Sequence, residues 1–294
     1  MKLIMTLLVR DEEDIVAANI DFHLAHGVDF IIAMDNLSDD RTPQLLRKYE
    51  ERGLLHYIFQ TEDDFAQHRW VTDMARLAFS QFGADWVIHT DADEFWYPEQ
   101  SDLKQILSAI PPSYDAAAVE RSNFVPRRFQ NHEFFADAMT VRDRKSVNAL
   151  GQSLPGKICH RAFSDIEVEQ GNHAVRRRGR EIATESLPII IFHFPVRSYR
   201  QFANKIALGG AAYARNSTLP SDVGGTWRYL YDIWQKGQLE AYYRDMILDD
   251  QEIENELING RLVRDARLKH FFSIDNQDRH MVHAIGSGNI PRKF

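Results

Sequence analysis

The sequence predicts an α/β fold: a mostly parallel sheet flanked by helices, with an antiparallel extension and a helical C-terminal part. Three observations carry this reading. Over residues 1–100, short apolar runs alternate with patterns of helical period, the mark of successive βα units. Over residues 113–196, strand-like runs follow one another with only turns between them. From residue 197 onward, helical spacing returns.

The opening stretch MKLIMTLLV has the single lysine and apolar run of a signal peptide. It passes straight into Arg10, Asp11, Glu12, Glu13 and Asp14 without a small-residue cleavage site, so it reads as a buried strand over 2–9. Asp11 can cap the next helix, with Asp14 three residues on. Ile15, Ala18, Phe22 and Ala25 then form a stripe at helical spacing that Gly27 ends. A second strand over 30–34 meets the polar turn DNLSDD. Thr42 follows as a cap, Pro43 stands at the first helical position and Gly53 closes the helix.

A third strand is expected over 54–60 and a third helix over 69–82, with Trp70, Met74, Leu77 and Ala78 inward and Gly83 as its stop. The fourth strand covers 85–90. Later strands are expected over 115–121, 140–148, 156–163 and 188–194, and helices over 198–215, 226–247 and 249–259. The tail after Phe272 reads as loosely ordered. No internal repeat or low-complexity segment interrupts this order.

Composition narrows the function. The 294 residues are 44% hydrophobic, enough for a sizeable core. The single cysteine, Cys159, can form no internal disulfide and no thiolate cluster; it reads as a small buried hydrophobe and fits a reducing compartment. A net charge of −8 opposes a polyanion, which argues against a nucleic-acid partner. The basic run Arg176-Arg177-Arg178-Gly179-Arg180 supports at most a peripheral membrane contact. No apolar run approaches the ~20 residues of a membrane-spanning helix, so a soluble, cytoplasmic protein is expected.

The chemistry concentrates in DWVIHTDADEFWYP, an apolar strand ending at Asp91-Ala92-Asp93. Asp-x-Asp spacing alone is weak evidence; its position gives it weight. Ligands of open α/β sheets sit outside the carboxyl ends of the strands. Two carboxylates leaving such an end can converge on one hard divalent cation, Mn²⁺ or Mg²⁺, shared with substrate phosphates. The second strand also ends in acids, and Asp35 there can accept hydrogen bonds from a base or ribose, whereas Asp39 and Asp40 suit a turn and a helix cap.

Taken together, LLVRDEEDI, MDNLSDDRT and WVIHTDADEFW resemble, in that order, the family 2-type glycosyltransferases of GT-A fold. The branch is the one with a DNxSxDxT-like turn and a DADEF segment, and HFPVRSYRQFANK at 193–205 is similar to a later family segment. The resemblance implies transfer of a sugar from a nucleoside-diphosphate sugar, UDP- or GDP-linked, to a glycan or lipid-linked acceptor. It further implies inversion at the anomeric carbon and a place in polysaccharide or glycoconjugate synthesis. Residues 1–112 would bind the nucleotide sugar, 113–196 would complete the same domain on the acceptor side, and 197–294 would form the helical region.

Carried over by position, the resemblance places Val9 beside the base and Asp35 on the nucleoside. Asp91 falls to the ribose or the metal, and Asp93 to the metal bridging the diphosphate. A third metal ligand is commonly a histidine at a strand end; His193 matches, with His173 as its rival. The acceptor hydroxyl needs a general base. Glu94, Glu120, Glu169 and Glu185 are candidates that spacing does not rank, with Glu94 taken as the working choice. Arg69, Asp73, Lys157, Arg197 and Lys205 could serve a phosphate or sugar, and Arg69 and Lys157 are assigned to the donor. Trp96 and Tyr97 could stack on a sugar or close the core.

Two other readings remain. A phosphotransferase of haloacid dehalogenase type also uses Asp-x-Asp, but on its first strand, which here ends in Val9-Arg10-Asp11. A non-catalytic nucleotide- or carbohydrate-binding protein could keep the fold without turnover.

Overall fold

The computed structural model describes residues 1–63, 66–127, 134–216, 219–220 and 223–274. The first part is a run of βα units: β1 (Leu3–Val9), α1 (Val16–Ala25), β2 (Phe30–Asn36), α2 (Thr42–Glu51), β3 (Leu55–Gln60), α3 (Gln67–Ser80) and β4 (Trp86–Asp91). Then come β5 (Glu94–Pro98), α4 (Leu103–Ser108), β6 (Ala116–Asn123), α5 (Phe135–Ala138), β7 (Val141–Asp143) and β8 (Lys157–Arg161). A small sheet of β9 (Ile166–Val168), β10 (Val175–Arg177) and β11 (Arg180–Glu181) precedes the long β12 (Thr184–His193). Helices α6 (Tyr199–Arg215), α7 (Gly225–Gln235), α8 (Leu239–Met246) and α9 (Asp250–Ile258) follow, and β13 (Leu262–Arg264) pairs back on β7.

The eight-stranded sheet has the order β3-β2-β1-β4-β8-β6-β12-β5. Strands β1 to β4 pair in parallel, β8 runs antiparallel between β4 and β6, β12 lies parallel to β6, and β5 closes the edge antiparallel to β12. The expected antiparallel extension therefore belongs to the same sheet. β1 shows why these residues make a central strand. Leu3, Met5, Leu7 and Val9 face the cluster that includes Ile15, Ile20 and Phe22, while Ile4 faces the cluster under α3 with Trp70 and Met74. Side chains alternate along a strand, and a strand covered on both faces must be apolar at nearly every position.

Several boundaries differ from expectation. Asp11 does not cap α1, which begins at Val16 behind Ile15 without a side-chain cap; its carboxylate instead accepts from the Asp39 amide and Asn204. Residues 226–247 form two helices, because Gly237 at φ 69° turns the chain left-handed between α7 and α8. Only Val141–Asp143 of the 140–148 run is strand. The basic run forms the β10–β11 hairpin, with Arg176 paired to Glu169 and Arg177 and Arg178 to Asp165. Of the tail after Phe272, residues 275–294 lie outside the described residues, and Phe271 and Phe272 pack against the main core. Among the described residues no helix is long and apolar enough to cross a membrane.

One polar chain crosses the sheet interior. Register places Thr6 opposite His89 and Val87 opposite His160, and all three polar residues are buried. His160 Nδ1 lies 2.7 Å from the Arg161 carbonyl and so carries a proton; its Nε2 accepts from His89 Nε2 at 2.9 Å, and His89 Nδ1 accepts from Thr6 Oγ1 at 2.7 Å. Each ring is neutral. Burial pushes the pKa of His160 down to about 4 and that of His89 well below its ordinary value.

Candidate active site

Sheet direction gathers the site. The carboxyl ends of β1, β4, β6 and β12 deliver Val9, Asp91, Asn123 and His193 to one edge. Strands β5 and β8 run the other way, so their first residues, Glu94 and Lys157, arrive at the same edge. A cavity of about 820 Å³ opens there, lined among others by Val9, Glu12, Asp91, Asp93, Lys157, His193 and Lys205.

The turn that carries the acids is pinned from below. Thr90 Oγ1 and Asn19 Nδ2, the latter from α1, donate to the Glu94 carbonyl at 2.9 and 2.7 Å. The Trp96 amide donates to His23 Nε2, whose Nδ1 donates to the Asn19 carbonyl at 2.8 Å. Burial holds His23 neutral, with its pKa pushed down to about 3. Nothing in the sequence pattern singled out Asn19 or His23, because α1 shows them only as polar residues on an otherwise apolar face.

Each acid then meets a cation. Lys157 Nζ lies 2.7 Å from Asp91 Oδ2 and 3.2 Å from Glu94 Oε2, and Arg121 Nη1 lies 2.9 Å from Glu94 Oε1. Lys205 Nζ bridges Asp93 Oδ2 at 2.6 Å and Glu12 Oε1 at 3.2 Å. Arg197, 2% exposed, reaches Glu12 at 2.5 Å and takes Asp14 in both oxygens at 2.7 and 2.9 Å. Burial alone would raise the pKa of Asp93, but Lys205, then His193 and Arg197, hold it well below the carboxylate range. For Glu94, burial prevails over Lys157 and Arg121, and its pKa is raised.

The acidic stretch at 11–14 locks onto the next turn. The amides of Asp11, Glu12 and Glu13 donate to Ser38 Oγ, Thr42 Oγ1 and Asp40 Oδ2, each at 2.9 Å. Asp35, fully buried, accepts from Tyr57 OH at 2.9 Å and the Ser38 amide at 3.1 Å, and it is the adjacent Asn36 that lines the cavity.

His193 stands in register with Asn123 on β6 and Glu94 on β5. Asn123 Oδ1 accepts from His193 Nδ1 at 2.7 Å, which leaves the Nε2 lone pair facing Asp93 Oδ2 at 3.7 Å. Burial pushes the pKa of His193 down to about 3, so no proton mediates between these two acceptors. Asp93 Oδ1 is buried with no hydrogen-bond partner. A buried carboxylate with one oxygen unpartnered and the other facing an imidazole lone pair fits a divalent cation. Asp91 is drawn toward Lys157, and among the described residues no three His, Cys, Asp or Glu side chains form a ready-made metal cluster.

The rival His173 also lines the cavity, its Nδ1 donating to the Gly156 carbonyl at 2.7 Å. Gly171, at φ 78°, is needed beneath it, since a Cβ there would lie 2.5 Å from His173 Nε2. Other expected residues sit apart. Arg69 lies off the cavity in an exposed ion pair with Glu62. Glu94 lies beneath the cavity instead of lining it, and of the four glutamates considered as base only Glu169 is among the lining residues. Trp96 is fully buried and Tyr97 stacks on Phe192 at 4.9 Å, so both close the core.

No curated protein matches the chain. Among solved structures it is similar to TarS 1–349 of S. aureus, at 12% identity over 74% of this chain and 67% of that one, TM-score 0.42. It is likewise similar to a mannosyltransferase of Pyrobaculum calidifontis in complex with GDP-Man and Mn²⁺, at 14% identity over 82% and 73% of the two chains, TM-score 0.42. The family model of glycosyltransferase family 92 matches residues 5–164, more than half of the sequence. Together with the curled, mostly parallel sheet, that match makes the chain a nucleotide-sugar-dependent glycosyltransferase of GT-A-like fold, and it belongs to glycosyltransferase family 92.

Proposed function

We propose that the protein moves a sugar from a UDP- or GDP-linked donor to a hydroxyl of a glycan or lipid-linked acceptor. The reading includes inversion at the anomeric carbon, a role in polysaccharide or glycoconjugate synthesis in the cytoplasm, and at most peripheral contact with a membrane. One observation carries it: the buried Asp93, whose Oδ1 has no hydrogen-bond partner and whose Oδ2 faces the lone pair of His193 Nε2, at the strand ends where such folds hold ligands.

Asp93 and His193 would hold Mn²⁺ or Mg²⁺, with Asp91 joining from across the turn. When bound, such an ion neutralises the charge developing on the departing diphosphate. Val9 walls the base, and Lys157, buried against Asp91, offers the phosphates a fixed positive charge. Asp35 acts on the nucleoside through the wall it shares with Asn36. With both Glu94 oxygens facing Arg121 and Lys157, the cavity-lining Glu169 stands as the accessible alternative base.

Calorimetry with UDP and GDP tests the reading. Binding in the presence of Mn²⁺ and its loss in EDTA is the expected result; equal affinity in both would sink the metal bridge. Hydrolysis of a generic phosphomonoester would instead favour phosphotransfer, and nucleotide binding with no turnover of any nucleotide sugar would favour a binding protein.

A further inference from the structure

The cations of the site are not equally fixed. Arg197 is held by Glu12, Asp14 and the Phe194 carbonyl and is almost fully buried, as is Lys157 between Asp91 and Glu94. Lys205 differs: its side chain is 27% exposed, it lines the cavity, and among the described residues its ammonium is paired with Asp93 and Glu12. It reaches these acids from the second turn of α6.

That ammonium lies on Asp93 Oδ2, the oxygen that also faces His193 Nε2. A divalent ion seated between Asp93 and His193 would be forced against it, and like charges at contact distance in a water-poor site repel strongly. Glu12 is already a second partner at 3.2 Å, so Lys205 can leave Asp93 without losing every carboxylate. A nucleoside diphosphate entering the cavity supplies further anionic partners for the released ammonium.

We propose that Lys205 is a built-in counter-ion that occupies Asp93 until the donor arrives, so that the metal and the nucleoside diphosphate bind as a coupled pair. The inference rests on the donor and metal reading above. It makes the site a poor one for metal alone, and it makes the donor the agent that opens it. Coupling of this kind is reciprocal: the nucleotide raises metal affinity by the same factor by which metal raises nucleotide affinity.

The test is Mn²⁺ binding by the full chain, followed by electron paramagnetic resonance, alone and with UDP or GDP. Wild type should bind Mn²⁺ weakly alone and about tenfold or more tightly with nucleotide. Lys205→Met, which keeps the stem and removes the charge, should bind Mn²⁺ alone about tenfold more tightly than wild type and show reduced coupling. Lys205→Arg should restore the wild-type pattern. Lys205→Gln repeats the charge removal with a polar end, and circular dichroism checks the fold of each variant. Neutral variants that bind Mn²⁺ alone no more tightly than wild type overturn the proposal. That comparison needs no nucleotide, so it stands apart from the donor reading, which fails if wild type binds neither UDP nor GDP with Mn²⁺ present.

Discussion

At the scale of single residues, Asp93 and Asn123 make contrasting tests. Asp93→Ala should lower turnover by ~10³-fold, equivalent to ~4 kcal/mol of barrier, with folding intact by circular dichroism. Asn123 touches the imidazole only through its far nitrogen. Asn123→Ala releases the tautomer of His193 and should weaken Mn²⁺ binding by about 10–100-fold, measured at fixed nucleotide, while the protein stays folded. Unchanged Mn²⁺ affinity would remove His193 from the metal's surroundings. His193 could be singled out in the sequence because it ends an apolar run; Asn123 could not, since a lone asparagine at a strand end carries no pattern. The same holds for Arg121 and Asn19, whose roles arise from neighbours 27 to 75 positions away.

At the scale of elements, the βα units were readable because apolar runs and glycine stops agree there, although neither Asp11 nor Thr42 provides the side-chain cap its position suggests. Strand β5 was not, for it begins inside the acidic motif and its aromatics read equally well as a sugar platform. Nor could spacing reveal the strap formed by Arg197 as the chain leaves β12 for α6. Its guanidinium holds Glu12 and Asp14 in the turn after β1, 183 to 185 positions away. Arg197→Met should cost about 3–5 kcal/mol in urea unfolding, because Glu12 and Asp14 lose their shared cation. Arg197→Lys should recover little of it, since one ammonium cannot reproduce the fork that takes both Asp14 oxygens. A loss under ~1 kcal/mol would class the strap with ordinary surface pairs.

At the scale of the whole molecule, the buried neutral histidines set the response to acid. His23, His89 and His160 have folded-state pKa values depressed below the unfolded value, so the unfolded chain binds more protons. Their contribution is fully present above pH ~6.5 and is lost as pH falls, toward about 4 for His160 and about 3 for His23, at up to ~1.4 kcal/mol per pH unit for each ring. Glu12 and Glu94, raised by burial, act with the opposite sign and soften the slope near the acid end. The urea midpoint should therefore fall steeply between pH 6 and pH 4.5, and His160→Leu should flatten that fall. A midpoint independent of pH across this window would contradict the neutral Thr6–His89–His160 chain.

The strap should also set the order of assembly. The segment matching the family ends at residue 164, yet His193, Arg197 and Lys205 come later in the chain. A nascent chain that has emerged only that far holds Glu12, Asp14, Asp91 and Asp93 at neighbouring strand ends with Lys157 as their nearby cation. Mutual repulsion should keep the strand ends splayed until α6 is made. Pulse-labelled hydrogen exchange would then show β1 to β4 protected at mid-strand well before their carboxyl termini, so that the catalytic edge is the last part of the sheet to close.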